Sequence, residues 1–221
     1  FQKTFDSYWQ SDEFEIFNDT IDKEKLIYSL SQRKISKSSD INISFFEIKP
    51  YPFQLEILEK LDVERTVHER NRNLVVAATG TGKTIISSFD YRNFRQKFKS
   101  SNLLFLANRK EILSQSLSTY RGTLKDNNFG ELWVDGIEPN SYEHVFASVQ
   151  TFKNRLESFK LSLQYFDYIV IDECHHLTAN SYRWIINYFK PKVLLGLTAT
   201  PERMDGGDIQ EDFHNRCAAE I

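Results

Sequence analysis

The stretch Ala77-Ala78-Thr79-Gly80-Thr81-Gly82-Lys83-Thr84 constrains this chain more than any other part of its sequence. It closes a strand-sized apolar run, Leu74 to Ala78, and opens an amphipathic stretch, Lys83 to Phe98. Strand, glycine turn and helix in that order build an anion site. Gly80 and Gly82 let the backbone turn with its N–H groups facing a concavity, and the positive end of the helix dipole adds to them. Thr79, Gly80, Thr81 and Gly82 then form the cradle. Lys83 reaches the β and γ phosphates of a nucleotide, and Thr84 offers its hydroxyl to Mg²⁺. One position departs from the pattern G-x-x-x-x-G-K-[ST]: Ala77 stands where the first glycine belongs.

About 90 residues further on, the apolar run Tyr168-Ile169-Val170-Ile171 ends in two adjacent carboxylates, Asp172 and Glu173. Acids at the carboxyl end of a strand in an α/β sheet face the crevice where such folds bind ligands. Asp172 suits the shell of a magnesium ion, and Glu173 suits polarisation of an attacking water as general base. His175 and His176 follow Cys174, but neighbouring side chains point in different directions and no further ligands cluster near them, which argues against a zinc site.

Between and around these motifs, short apolar runs alternate with amphipathic ones. A helix is expected from Pro52 to about Arg70, with Phe53, Ile57, Leu58 and Leu61 at helical spacing. Strands are expected at Asn73 to Ala78, Leu103 to Ala107, Val145 to Val149, Tyr168 to Asp172 and Val193 to Thr198. The helices between them are Lys83 to Phe98, Lys110 to Tyr120, Thr151 to Phe159 and Ser181 to Phe189. Such alternation predicts an α/β fold, a parallel sheet with helices on both faces. Residues 50–221 form that domain in this reading. Residues 1–49 read as a linker or the tail of a preceding domain, acidic at first and Ser-rich from Ser36 to Ser44.

Composition excludes several alternatives. The longest apolar runs fall far short of the ~20 residues a membrane span needs. Two cysteines, Cys174 and Cys217, make no disulfide framework, and a reducing cytoplasm suits the chain. Net charge is −3, so a grossly basic nucleic-acid binder is excluded while a local basic face is not. Tyr91 to Lys110 carries six basic residues and no acidic one, and the first four, Arg92, Arg95, Lys97 and Lys99, read as a solvated helix face. The start at Phe1 shows neither an initiator Met nor a signal peptide, and the chain reads as a fragment.

The loop Ala78 to Thr84, the quartet Asp172 to His175 and the run Leu197-Thr198-Ala199-Thr200-Pro201 resemble, in order and spacing, motifs I, II and III of superfamily 2 helicases of the DEAD/DEAH type. Pro50-Tyr51-Pro52-Phe53-Gln54 resembles the adenine-reading glutamine motif of that family, with Gln54 toward the adenine edge. The basic residue usual near that glutamine is replaced by Tyr51 and Phe53. Phe105-Leu106-Ala107-Asn108-Arg109 and Ser148-Val149-Gln150-Thr151-Phe152 look like the backbone-contacting motifs, which makes Asn108, Arg109, Gln150 and Thr151 candidate phosphate contacts. For Thr151, capping of the helix that follows it is an equal reading.

By that resemblance the domain is a RecA-like P-loop lobe using ATP and Mg²⁺. Lys83, Asp172 and Glu173 are catalytic, Thr84 and Asp172 hold the metal, and His175, Thr198 and Thr200 couple the nucleotide to the nucleic-acid side. The continuation Pro201 to Ile209 looks like DNA-directed helicases of restriction and repair systems, so DNA is expected as partner ahead of RNA. A second RecA-like lobe of the same polypeptide, absent from residues 1–221, is expected to complete the enzyme, and a phospholipase-D-like nuclease domain to precede it. The lobe alone is expected to hydrolyse ATP weakly or not at all. An RNA-directed DExH helicase and a non-motor ATP switch are the rival readings.

Overall fold

The apolar runs become the strands of one parallel sheet. In this computed structural model residues 48–156, 161–174, 185–200, 212–214 and 217–220 are described. Their elements in chain order are α1 (Pro52–Thr66), β1 (Arg72–Val76), α2 (Lys83–Lys97), β2 (Leu103–Ala107), α3 (Lys110–Leu124), β3 (Glu131–Trp133), β4 (His144–Ser148), α4 (Val149–Leu156), β5 (Tyr168–Ile171), β6 (Val193–Thr198) and β7 (Ala219–Glu220). The strand order is β3-β4-β2-β5-β6-β1-β7, and every pairing is parallel. Both faces of a parallel sheet are covered, which is why β2, β5 and β6 are apolar without alternation and buried along their whole length.

Two apolar layers flank the sheet. On one side Ile57 and Leu61 of α1, Ile86 and Phe89 of α2, and Leu113 and Tyr120 of α3 pack on Val75, Phe105, Val170 and Leu195. On the other, Phe152 of α4 joins Phe166, Ile185, Phe189 and Phe213 over Leu74, Leu104, Ile169 and Leu194. Gly196 in the middle of β6 leaves room for the second layer. A Cβ there would lie 2.5 Å from Phe213 Cζ and 3.0 Å from Leu74 Cδ1.

The expected strands form, as do the helices expected at Pro52, Lys83, Lys110 and Thr151, with shifted ends. α1 stops at Thr66 rather than near Arg70, because the chain reverses through Glu69 at φ 54 and the Arg70 amide turns back to the Glu64 carbonyl at 2.8 Å. α3 runs on to Leu124 and closes where Lys125 takes a left-handed conformation. Two strands have no counterpart in the sequence reading, β3 and β7, which are three and two residues long. The basic stretch of α2 is only partly a solvated face: the Arg92 guanidinium lies 4.3 Å from the centre of the Phe89 ring, Arg95 lies 5.5 Å from that of Phe129, and Lys97 pairs with Asp62 at 3.0 Å. The readings for residues 1–47, 157–159, His175, His176, 181–184 and 201–209 lie outside the described residues. No helix among the described residues is long and apolar enough to cross a membrane.

Candidate nucleotide and nucleic-acid site

Strand order decides which side chains meet. The carboxyl ends of β1, β6, β5, β2 and β4 follow one another along one edge of the sheet, and each carries a candidate residue. β6, the strand that ends at Thr198, lies between β1 and β5. The Ala77 amide extends the β1–β6 pairing by donating to the Thr198 carbonyl at 2.9 Å, after which the chain leaves the sheet.

The loop that follows turns through Gly80 at φ 88 and Gly82 at φ 80, conformations that side-chain-bearing residues rarely adopt. Thr81 closes the turn, its hydroxyl donating to the Ala78 carbonyl at 2.7 Å. The first bond of α2 runs from the Ile86 amide to the Gly82 carbonyl, so the free N–H groups of the helix start face the loop's interior. Thr79 and Gly80 are exposed, and Thr84 is half-buried in the first turn of α2.

Lys83 is 7% exposed, and its Nζ donates to the Ala77 carbonyl at 3.0 Å. The same Nζ lies 3.7 Å from Glu173 Oε1. A cation from the first motif and an acid from the second, distant in sequence, thus meet across β6. Glu173 reaches this place from φ 50, a left-handed conformation that costs a non-glycine residue about 1 kcal/mol or more. Its amide donates to Asp172 Oδ1 at 2.9 Å, which fixes the turn.

Asp172 is 5% exposed. Burial, and then the neighbouring Glu173 charge, push its carboxyl up to about 6. A buried carboxylate beside a second acid is relieved by a cation, and the hydroxyl and carboxylate oxygens of Thr84, Asp172 and Glu173 are the hard donors that suit Mg²⁺. The donor chemistry therefore fits that ion.

Gln54 lies in the first turn of α1, where Pro52 starts the helix. Its Oε1 accepts from the Tyr51 amide and its Nε2 donates to the Thr81 carbonyl, both at 2.9 Å. The side chain is buried and braces the phosphate loop from outside. Beside it the Tyr51 and Phe53 rings lie parallel, 6.1 Å apart.

For the candidate nucleic-acid contacts, the register Ala107 to Ser148 places the residues after β2 next to those after β4. Asn108, Arg109 and Gln150 are exposed there. The Arg109 carbonyl accepts the first bond of α3, while its side chain makes no cap hydrogen bond. Thr151 does not precede a helix, since α4 begins at Val149. The cap is Ser148, whose Oγ accepts from the Thr151 amide at 3.0 Å and donates to the Thr151 hydroxyl at 2.8 Å. Sequence reasoning missed Ser148, and the spacing Ser-x-x-Thr at the strand end was the available signal.

Thr198 is fully buried, and its hydroxyl donates to the Thr200 carbonyl at 2.6 Å while accepting the Thr200 amide. Cys174, just beyond β5, reaches β6 as well, its Sγ donating to the Leu197 carbonyl at 3.4 Å. Burial, with Asp172 next, pushes that thiol up and keeps it a protonated donor.

The ResIII family, described as type III restriction enzyme, res subunit, matches residues 47–203. The endonuclease subunit of the type I restriction enzyme EcoAI of Escherichia coli is 35% identical over 168 residues, 69% of this chain and 19% of that protein. IRC3 of Saccharomyces cerevisiae, a proposed ATP-dependent helicase, is 34% identical over 143 residues, 59% of this chain and 20% of that protein. The Pyrococcus furiosus Hef helicase domain superposes with a TM-score of 0.56 at 24% identity, over 75% of this chain and 35% of that one. The chain thus spans about a fifth of the length of the two curated relatives.

Proposed function

We propose, from the premise that the chain belongs to the ResIII family, that residues 50–221 are the ATP-binding lobe of a DNA helicase or translocase. The observation that carries the reading is the approach of Lys83 Nζ to Glu173 Oε1 beside the buried Asp172, on one edge of a parallel sheet. The family match from residue 47 supports the boundary, with residues 1–49 as a linker or the tail of a preceding domain. Family and bacterial relative are both named for restriction, a reaction on DNA, which favours DNA over RNA.

The backbone amides of Thr79 to Thr84 receive the β and γ phosphates, and Lys83 leaves the Ala77 carbonyl to neutralise the transferred phosphoryl. Mg²⁺, when bound, supplies charge neutralisation between those phosphates. Thr84 and Asp172 hold it through their oxygens. Glu173 polarises the attacking water and accepts its proton at a carboxylate oxygen. Gln54 keeps the loop in shape and faces the adenine side. Asn108, Arg109, Gln150 and Thr151 take nucleic-acid phosphates, while Thr198, Thr200 and His175 relay between the two. A second RecA-like lobe of the same polypeptide closes over the site, with a nuclease domain as a further companion, in the cytoplasm.

The full-length protein should hydrolyse ATP in a DNA-stimulated reaction and displace the third strand of a DNA triplex as it moves. Stimulation by RNA duplex alone would transfer the reading to an RNA-directed helicase. Stimulation by DNA without displacement would make it an ATP switch.

A further inference from the structure

Remote from the phosphate loop, one half-buried guanidinium ties together all four elements that carry the candidate nucleotide residues. Arg65, near the end of α1, donates from both terminal nitrogens to the two oxygens of Asp90 on α2, each at 2.7 Å. Its Nε donates to Asn73 Oδ1 on β1 at 2.7 Å. The Tyr168 hydroxyl of β5 also donates to Asp90, and its ring centre lies 5.9 Å from the guanidinium carbon. Asn73, Asp90 and Tyr168 are buried, and the Arg65 side chain is 13% exposed. Each partner stands on an element that leads to a candidate site residue: Gln54 lies in the first turn of α1, Lys83 begins α2, β1 runs into the glycine loop and β5 is followed by Asp172.

The need for such a clamp lies in α1. Its apolar hold on the domain is one stripe, Ile57, Leu58 and Leu61 buried with Phe53 partly buried against the same layer, while Leu55 and Val63 on the same helix are exposed. A single apolar stripe leaves a helix able to slide and roll. Beside the exposed Asp62–Lys97 pair, two inward polar attachments remove that freedom, Gln54 to the Thr81 carbonyl at one end and Arg65 to Asp90 near the other. The eleven residue steps from Gln54 to Arg65 make a helical rod of about 16 Å, stiff enough to transmit a shift from one end to the other.

We infer that Arg65 is a positioning residue for the nucleotide site, clamping α1 against α2, β1 and β5 so that Gln54 stays on the phosphate loop. The fork geometry is essential, because three donors in a plane meet Asp90 and Asn73 at once, and a lysine ammonium at that distance meets at most one of them well. This inference rests on the ATP-binding reading above, and it assigns to Arg65 a place in nucleotide affinity and base choice rather than in the chemical step.

The test is a double-mutant cycle in the full-length protein with Arg65→Lys, Gln54→Ala and both together. The readouts are KM for ATP, KM for GTP and kcat of the DNA-stimulated reaction, with thermal melting to establish folding. Arg65→Lys should raise KM for ATP roughly five- to twenty-fold, hold kcat within about two-fold, and lower the GTP-to-ATP ratio of KM toward that of Gln54→Ala. In the double variant the Arg65 change should add little, because residues acting through one contact are not additive. Multiplied losses, or an unchanged base preference in folded Arg65→Lys, overturn the inference. Should Arg65→Lys fail to fold, Tyr168→Phe removes one hydrogen bond from Asp90 and keeps the ring. A two- to three-fold rise in KM for ATP with altered base preference supports the clamp, and unchanged kinetics overturn it. Failure of the underlying reading shows earlier and differently, as absence of ATP binding by the unsubstituted protein.

Discussion

Gln54 stands where a side chain on Gly82 would have to go: a Cβ at Gly82 would lie 2.6 Å from Gln54 Nε2. The glutamine and the glycine are thus one fitted pair. Gly82→Ala should suffer twice, from φ 80, which costs an L-residue roughly 1–2 kcal/mol, and from the clash with the amide. Mg²⁺-ATP affinity measured by calorimetry should fall at least tenfold. Adding Gln54→Ala should recover part of the lost thermal stability, the clash share, and none of the affinity.

Glu173→Gln should keep Mg²⁺-ATP binding and lose roughly 10²- to 10⁴-fold in hydrolysis by the full-length protein, the range for a general base. The amide preserves the size of the side chain that faces Lys83 at 3.7 Å. Lys83→Ala should instead lose binding itself, since the proposed function assigns its Nζ to the phosphates. Calorimetry and single-turnover hydrolysis separate the two. Equal loss of binding in both variants would contradict the division of roles.

These sites were legible in the sequence because each is local. A phosphate loop declares strand, turn and helix in eight consecutive residues, and Asp172-Glu173 follows a run that is apolar because both sheet faces are covered. What stayed hidden depends on residues far apart. β3 and β7 are too short to show a period and exist through pairing with β4 and β1. Arg65 and Asp90 are 25 residues apart, each reading as an ordinary helix charge until the fold buries them. The role of Ser148 turned on whether α4 begins two residues before Thr151, a boundary that periodicity does not resolve.

Gly196→Ala tests the packing behind the site. The new methyl would meet Phe213 Cζ at 2.5 Å and Leu74 Cδ1 at 3.0 Å, so the ring that covers β6 must move. Overpacking of this kind costs about 1–3 kcal/mol, which for a domain of this size lowers Tm by roughly 2–12 °C. Phe213→Leu in the same chain should return part of it. An unchanged Tm in Gly196→Ala would mean that Phe213 does not sit there.

Arg109→Ala should weaken DNA binding by similar factors for unrelated sequences and reduce the slope of log K against log salt by about one. The side chain is exposed and holds no cap, so folding should not change. Fluorescence anisotropy at several salt concentrations measures it. Loss confined to particular sequences would assign Arg109 to base edges.

Asp172 and His144 pull the acid stability of the metal-free protein in opposite directions. Burial, then Glu173, holds the Asp172 carboxyl at about 6, above its ordinary value, so between about 4 and 6 the folded state binds more protons at this group than the unfolded chain does. Its contribution therefore worsens as pH rises and reaches a cost of about 3 kcal/mol above pH 7. His144, stacked on Phe129 at 4.3 Å, is pushed down to about 4 by burial and then by Arg95. There the unfolded chain binds more protons between about 4 and 6.5, and stability falls as pH falls through that window. The two slopes oppose each other in the unsubstituted protein. Asp172→Asn, whose Oδ1 can still accept the Glu173 amide, should raise Tm at pH 8 in EDTA and expose the His144 slope as a steeper loss of Tm from pH 6.5 to 4. His144→Phe should do the reverse, leaving stability that rises on acidification from pH 6 to 4. Thermal melts of the three proteins in EDTA across pH 4 to 8 decide it, and a lower Tm for Asp172→Asn at pH 8 would show that the Asp172 charge is already compensated without metal.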